Sequence, residues 1–185
     1  MRTILSTEQL DAGITRLADT VRDNLGQAPL MVVGVLTGAL VVMSDLIRQL
    51  EGPMNIGMVW ASSYRGIALK PGRLDLRFEL LPDIQGKEVL LVDDIFDSGR
   101  TLDALVDELR ARGAVRVQSL VLLRKTGKSE VAMQPDYVGF EIPDEFVVGY
   151  GLDYNGHYRN LPYVAALEKN DIEAMSRTTL NAEVD

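Results

Sequence analysis

Strand, turn and helix patterns alternate three times along the sequence, and this alternation leaves the chain few possible folds. Apolar runs at Leu30–Leu36 and Val89–Val92 have the composition of buried parallel strands, and Val115–Leu123, which also holds Arg116, Gln118 and Ser119, is a third strand candidate. Apolar residues at helical spacing follow two of these runs, at Leu40–Ile47 and Leu102–Leu109. Because parallel strands need such crossovers, the sequence predicts an α/β fold with a central parallel sheet flanked by helices.

Local signals place the other elements. Ser6 followed by Gln9 is a capping box, and helical periodicity then continues until a glycine ends it. Met54–Ala61 is a further strand candidate, and Leu74–Leu80 alternates apolar and charged residues like a half-buried strand. The segment between them, 62–73, is polar and contains two glycines and a proline, which predicts a mobile loop.

The last fifty residues differ in character from the rest. From Asp136 onward the chain is aromatic and glycine-rich without helical periodicity, and Ser176–Asp185 has the composition of a frayed tail. We expect short strands and loops that form a small hood beside the sheet. The sequence therefore predicts a single domain over 1–185, with the hood built from parts of the N-terminal region and about 136–185.

Charge and composition narrow the choice of partners. The 27 acidic and 19 basic residues give a formal charge of −8, which argues against nucleic acid or an anionic membrane surface. The uncharged stretch 24–44 is broken by glycines and a proline, so no membrane helix is predicted. Cysteine is absent, and Met1–Glu8 lacks the apolar core of a signal peptide. A cytoplasmic location is expected, and the single histidine, His157, receives no role.

The stretch Val89–Leu102 holds the most informative chemistry. Its apolar strand runs into three carboxylates, Asp93, Asp94 and Asp97, and Ser-Gly-Arg-Thr then opens a helix. Free N–H groups at a helix start bind anions, so this half predicts a phosphate site, while the acids suit sugar hydroxyls, a substrate proton or Mg²⁺. Alternatively the acids only cap the helix and are solvated, which leaves the full combination unexplained.

This stretch resembles, residue for residue, the ribose-phosphate motif of type I phosphoribosyltransferases. Within that class, Asp136–Tyr154 resembles the C-terminal signature of hypoxanthine-guanine phosphoribosyltransferases, and the likeness runs from about Val33 to Val164. The resemblance implies transfer of 5-phosphoribose from phosphoribosyl pyrophosphate (PRPP) to N9 of a 6-oxopurine, hypoxanthine or guanine. It also implies release of pyrophosphate, Mg²⁺ as cofactor, and a homodimer or homotetramer.

The resemblance assigns the PRPP side of the site. Asp93 and Asp94 match the acids that hold the ribose hydroxyls and contact metal through water, and Asp97 matches the base that takes the purine N7 proton. Asp93, Asp94 and Asp153 form the implied metal set. The implied PRPP-binding set is Thr37, Gly38, Ser63, Tyr64, Asp93, Asp94, Asp97, Ser98, Gly99, Arg100, Thr101 and Arg159.

The implied purine-binding residues are Lys125, Phe146, Val147 and Asp153. Lys125 matches a donor to the 6-oxo group, which would disfavour adenine because a 6-amino group is itself a donor. Phe146 matches a ring that stacks on the purine, and the Val147 backbone could meet the base edge. Taken singly, these residues are equally explained as core or surface positions.

Two further features concern the expected lid and the pyrophosphate loop. Ser63–Tyr64 match the start of a mobile lid that would exclude water. Leu36–Ala39 matches the pyrophosphate loop, but Thr37 stands where many members have lysine, so direct ammonium pairing to pyrophosphate is missing.

Two alternative functions remain open, and one other class of protein is excluded. A regulatory PRPP sensor of the same fold and a xanthine-preferring enzyme stay open as alternatives. A P-loop NTPase is excluded because Leu122 stands where that motif needs glycine, upstream of Gly127–Ser129.

Overall fold

The computed structural model describes residues 1–63, 74–168 and 170–171. Its helices are α1 (Thr7–Asn24), α2 (Leu40–Ile47) and α3 (Arg100–Ala111). Its strands are β1 (Arg2–Leu5), β2 (Leu30–Leu36), β3 (Met54–Ser63), β4 (Leu74–Arg77), β5 (Glu88–Phe96), β6 (Arg116–Lys125), β7 (Tyr137–Ile142), β8 (Val147–Val148) and β9 (Val164–Ala166).

Six strands form the main sheet in the order β4-β3-β2-β5-β6-β7. Strands β3, β2, β5, β6 and β7 pair in parallel, whereas β4 pairs antiparallel with β3 at one edge. The predicted α/β sheet flanked by helices is confirmed, with the difference that the sheet is mixed rather than wholly parallel. As an edge strand, β4 is half-buried over its first three residues and exposed at Arg77.

The order of the strands reverses between β2 and β5. From β2 the chain crosses through α2 to β3 on one side, and from β5 it crosses through α3 to β6 on the other. Right-handed crossovers in opposite directions place α2 and α3 on opposite faces of the sheet. Ligands of open α/β sheets bind at the carboxyl ends of the strands beside such a reversal.

Helix α1 begins at the predicted capping box. The Ser6 hydroxyl accepts from the Gln9 amide at 3.3 Å, and the Gln9 side chain accepts from the Ser6 amide at 2.9 Å. The apolar face of α1 is buried, with Phe140 of β7 lying where a Cβ on Gly13 would be. Among the described residues, no helix has both the length and the apolar character needed to span a membrane.

The hood is a three-stranded sheet in the order β1-β9-β8. Its first strand, β1, was not predicted, because only pairing with distant β9 makes Arg2–Leu5 a strand. The prediction that the hood starts near residue 136 is wrong for β7, which extends the main sheet beside β6. Gly139 permits that placement, since a Cβ there would lie 2.6 Å from the Leu122 carbonyl oxygen. The glycine is required by close strand packing and is no sign of a loop.

The remaining sequence predictions concern the length of β5, the loop at 62–73 and the tail at 176–185. The strand predicted at Val89–Val92 continues to Phe96, so Asp93 and Asp94 belong to β5. The predicted mobile loop lies mostly, and the predicted tail wholly, outside the described residues.

Candidate active site

A cavity of about 520 Å³ opens at the carboxyl ends of β2 and β5, where the strand order reverses. Eleven of the predicted site residues line it, together with Lys128 and Glu130. The predicted residues in its wall are Thr37, Gly38, Asp93, Asp94, Asp97, Ser98, Gly99, Arg100, Thr101, Asp153 and Arg159. The structure thus brings together segments that lie up to 122 positions apart in sequence, from Thr37 to Arg159.

Asp93 and Asp94, called the acid pair below, are consecutive residues near the C-terminal end of strand β5. Asp93 is buried, and its Oδ1 accepts from the Asp94 amide at 3.0 Å. Burial, and then the neighbouring Asp94 charge, raise the pKa of Asp93 well above its usual range, and burial also raises the pKa of Asp94. The pair is therefore poorly compensated by the protein and has unused acceptor capacity that faces the cavity.

Residues 36–38 form a turn, called the glycine turn, against the acid pair. The Leu36–Thr37 peptide bond is cis, and the Thr37 side chain is exposed. A Cβ on Gly38 would lie 1.7 Å from Asp94 Oδ2, so only glycine lets the backbone approach that carboxylate. The Ala39 amide donates to Val35 and the Leu40 amide to Thr37. The turn places its own backbone beside the acids.

The start of α3 forms one end of the cavity. Gly99 stands at the N-cap with φ of 85°, and a Cβ there would meet the Phe96 ring at 2.5 Å. Gly99 has no side chain to cap the helix, and the Arg100 amide donates to the Ser98 hydroxyl only at 3.5 Å. The next N–H groups, with the Ser98 and Thr101 hydroxyls, are therefore available to an anion. Arg100 Nη2 lies 2.6 Å from Glu130 Oε2 at the cavity rim.

A loop of the hood closes the cavity opposite α3. Arg159 Nη2 lies 2.7 Å from Asp153 Oδ1, and Arg159 Nη1 donates to the Gly151 carbonyl at 2.5 Å. Gly151, with φ of 102°, abuts the glycine turn, since a Cβ on it would lie 2.2 Å from the Gly38 carbonyl oxygen. Tyr150 donates to Asp45 of α2, and burial together with this carboxylate raises the pKa of the phenol.

Asp97 belongs to a second group of charges, called the charge cluster, with Lys125, Lys128 and Asp144. Lys125 Nζ lies 3.4 Å from Asp97 Oδ2 and 3.1 Å from Asp144 Oδ1. Lys128 Nζ lies 3.2 Å from Asp97 Oδ1 and 3.0 Å from Asp144 Oδ1. Asp97 Oδ1 is buried, yet no described residue donates to it with hydrogen-bond geometry. Asp97 Oδ1 therefore forms an ion pair with Lys128 but accepts no hydrogen bond from the described residues.

Lys128 and Asp144 were not predicted as site residues. In the sequence, Lys128 belongs only to the rejected P-loop pattern at Gly127–Ser129, and Asp144 only to the C-terminal signature Asp136–Tyr154. Interactions with the Asp144 and Asp97 carboxylates raise the pKa of Lys128, and those with the Lys128 and Lys125 ammonium groups lower the pKa of Asp144. Only the pairing of β6 with β7 brings these groups together, so spacing along the chain carries no signal for them.

Of the other predicted residues, Lys125, Phe146, Val147 and Ser63 lie outside the cavity wall. Phe146 has half of its surface exposed and packs edge-on against Tyr154, with 5.4 Å between ring centroids. Val147 is buried in β8. Ser63 ends β3, and Tyr64 falls outside the described residues.

The glycine turn, the acid pair and the uncapped start of α3, all at the reversal of an α/β sheet, define the class of type I phosphoribosyltransferases. Residues 2–155 match the phosphoribosyl transferase domain. The chain therefore belongs to the phosphoribosyltransferase family.

Comparison with individual relatives places the chain within that family. It is 35% identical over 167 residues to the hypoxanthine-guanine phosphoribosyltransferase of Bacillus subtilis, which covers 90% of this chain and 93% of the relative. It is 40% identical over 168 residues to the bifunctional protein TilS/HprT of Listeria innocua, matching 90% of this chain but only 26% of that longer protein. A solved structure of a Trypanosoma cruzi hypoxanthine phosphoribosyltransferase variant, in a ternary complex with substrates, superposes with a TM-score of 0.83 at 30% identity. That match covers 92% of this chain and 97% of the solved one.

Proposed function

We propose that the protein transfers 5-phosphoribose from PRPP to N9 of hypoxanthine or guanine in purine salvage, giving IMP or GMP and pyrophosphate. The names of its relatives support this proposal. The observation that carries it is the juxtaposition of Lys125, an ammonium donor, with Asp97, whose Oδ1 accepts no hydrogen bond from the described residues. A 6-oxopurine presents the complementary edge, because its N7–H donates and its neighbouring oxygen accepts.

Different parts of the cavity wall would bind the 5-phosphate, the pyrophosphate and the ribose of PRPP. The uncapped start of α3, with Ser98 and Thr101, would hold the 5-phosphate, and Arg100 and Arg159 add positive charge. The glycine turn offers backbone groups to the pyrophosphate. The acid pair would accept hydrogen bonds from the ribose hydroxyls, which satisfies two carboxylates that the protein itself leaves uncompensated.

The carboxylate oxygens in the cavity suit an Mg²⁺ ion that is held jointly by the protein, water and the substrate phosphates. The described residues contain no cluster of three or more acidic, His or Cys side chains that could hold a metal alone. Mg²⁺ prefers oxygen ligands and keeps several waters, binding through one or two carboxylates and substrate phosphates. Asp93, Asp94 and Asp153 would hold the ion in this way, partly through water. When bound, Mg²⁺ neutralises phosphate charge and assists departure of pyrophosphate.

The base side of the site performs the proton chemistry. As N9 attacks C1 of the ribose and the bond to pyrophosphate breaks, Asp97 takes the N7 proton and so keeps the purine neutral. Lys125 donates to the 6-oxo oxygen. Phe146 would stack on the purine ring, with the Val147 backbone and Asp153 near its edge. Ser63 and Tyr64 would begin a lid that excludes water from the ribosyl centre.

The proposal extends to assembly and location. The proposed assembly is a homodimer or homotetramer, in which the half-exposed Leu40 of α2 and Ile56 of β3 would be available for a subunit interface. A cytoplasmic location is consistent with the lack of cysteine. PRPP and the purine are the proposed partners, and net negative charge disfavours nucleic acid.

A substrate panel tests the proposed function. The protein is incubated with PRPP, Mg²⁺ and one of hypoxanthine, guanine, xanthine or adenine, and nucleotide and pyrophosphate are measured. Hypoxanthine and guanine should give equal amounts of both products, with adenine far slower. PRPP binding without turnover of any base would indicate a regulatory sensor instead. Fastest turnover of xanthine would change the substrate, and fastest turnover of adenine would remove the role of Lys125.

A further inference from the structure

The register of the main sheet fixes Asp144 beside Lys125. Lys125 ends β6 and pairs with Ile142, the last residue of β7, and the Thr126 amide donates to the Ile142 carbonyl at 2.9 Å. Pro143 then leads directly to Asp144. Backbone hydrogen bonds between two adjacent strands therefore hold the carboxylate within 3.1 Å of the ammonium.

Lys125 depends on that carboxylate more than Lys128 does. The Lys125 side chain is only 9% exposed, whereas Lys128 is 41% exposed and reaches water. Within the described part of the chain, only Asp97 and Asp144 lie within ion-pair distance of Lys125 Nζ. A mostly buried ammonium without a paired carboxylate is strongly unfavourable, so the loss of either partner affects Lys125 directly.

The proposed reaction removes one of the two partners. When Asp97 takes the N7 proton it becomes neutral, and Asp144 is then the carboxylate that still pairs with Lys125. An ammonium has three donors. With one directed at Asp144 and one at Asp97, the third is left for the purine oxygen, and the direction of the first fixes the direction of the third.

We propose that Asp144 is a positioning residue that aims Lys125 at the 6-oxo group of the purine and so sets the preference for 6-oxopurines. This inference rests on the proposed function. Asp144 touches neither the purine nor PRPP in this role; it acts through Lys125.

The test is the Asp144→Asn variant, which keeps size and removes charge, compared with Glu145→Gln as a matched control. Glu145 is the next residue and also forms an ion pair, with Arg2, away from the cavity. Asp144→Asn should raise the hypoxanthine KM about tenfold and leave the PRPP KM within about twofold, because a charge-assisted hydrogen bond at the base is weakened. Glu145→Gln should leave both constants within about twofold, as surface pairs contribute little.

A double-variant cycle separates positioning from a structural effect. If Asp144 acts through Lys125, adding Asp144→Asn to Lys125→Met should change the hypoxanthine KM by less than about twofold. Asp144→Glu, which retains the charge, should restore most of the loss. Thermal melting of all variants checks that each folds as the wild type does.

The outcomes distinguish this inference from the function on which it rests. A wild type that turns over neither hypoxanthine nor guanine overturns both. An active wild type with an unaffected Asp144→Asn variant overturns only the role of Asp144. Equal increases in the two KM values, additive effects in the cycle, or a similar loss in Glu145→Gln would also overturn it, because each indicates a structural contribution alone.

Discussion

The end of β5 carries two groups of carboxylates with opposite surroundings. In the acid pair, Asp93 and Asp94 lie together with burial raising the pKa of both, and only Arg159 nearby lowers that of Asp94 by its charge. In the charge cluster, Asp97 lies among two lysines and Asp144, so that two ammonium groups balance two carboxylates. Only two residues, Ile95 and Phe96, separate Asp94 from Asp97 along the chain.

This contrast separates two ways of preparing a site. The acid pair is incomplete without ligand, so PRPP and metal would relieve an unfavourable burial of charge on binding. The charge cluster is already balanced, so it is organised before the purine arrives and requires little rearrangement. Under the proposed function, binding of the sugar phosphate and recognition of the base would therefore rest on different electrostatics, and each could be altered separately.

The largest effect is expected from removing the base of the charge cluster. Asp97→Ala should lower kcat about 10²- to 10⁴-fold, the usual contribution of a general base, because the N7 proton then has no acceptor. PRPP affinity, measured by calorimetry with Mg²⁺, should change little, since the acid pair and the start of α3 are intact. Turnover near that of the wild type would remove Asp97 as the base.

The next effect concerns the cation of the charge cluster. Lys125→Met should lower the preference for hypoxanthine over adenine about 10- to 100-fold, because the donor that discriminates the 6-substituent is lost. The ratio of kcat/KM for the two bases measures this. Unchanged discrimination would place the specificity elsewhere in the site.

Altering the acid pair should change stability in the opposite direction from activity. Asp93→Asn should raise the free energy of unfolding of the ligand-free protein by about 1–2 kcal/mol, as stabilising changes at strained sites do, while weakening PRPP binding. Urea denaturation with and without PRPP measures both quantities. A variant less stable than wild type would contradict the view that this burial is unfavourable.

The same comparison has a pH dependence of known sign. The folded chain keeps the Asp93 and Asp94 protons to a higher pH than the unfolded chain, in which aspartate titrates near about 4. Between these values the folded state holds more protons, so stability from the acid pair falls as pH rises through the raised folded pKa values. Asp93→Asn should reduce this slope in denaturation measured from about pH 4 upward, whereas a slope equal to that of the wild type would argue against it.

The smallest effect is expected from giving the acid pair a cation. Thr37→Lys places an ammonium on the glycine turn, where many family members have one, and should lower the PRPP KM severalfold, by about 1 kcal/mol. The hypoxanthine KM should stay constant, because the turn does not reach the charge cluster. Equal changes in both constants would contradict the separation of the two regions.

Local sequence signals predicted the scaffold well and the non-local contacts poorly. The capping box at Ser6 and the apolar run of β2 depend on neighbouring residues, and both were predicted. The strand β1 is stabilised by β9, about 160 positions away, and β7 by close packing at Gly139, so neither shows in local pattern.

The candidate site divides in the same manner. Asp93 to Thr101 form one continuous motif, and the structure places all the predicted members of that motif on the cavity. The other members of the charge cluster come from the ends of β6 and β7, whose register the sequence does not reveal. Lys128 and Asp144 were missed for that reason.

Backbone contacts on the phosphate side of the cavity have a consequence for how such a site can diverge. Gly38 lies against a carboxylate and Gly151 against the Gly38 carbonyl, so any side chain at either position displaces a neighbour. A substitution at either glycine would therefore disrupt the packing of the backbone and could not adjust it in small steps. The base side is made of side chains at strand ends, where single substitutions alter charge and reach in small steps. New purine preferences in such a scaffold should therefore arise by mutation around Lys125, while the machinery for the sugar phosphate is inherited unchanged.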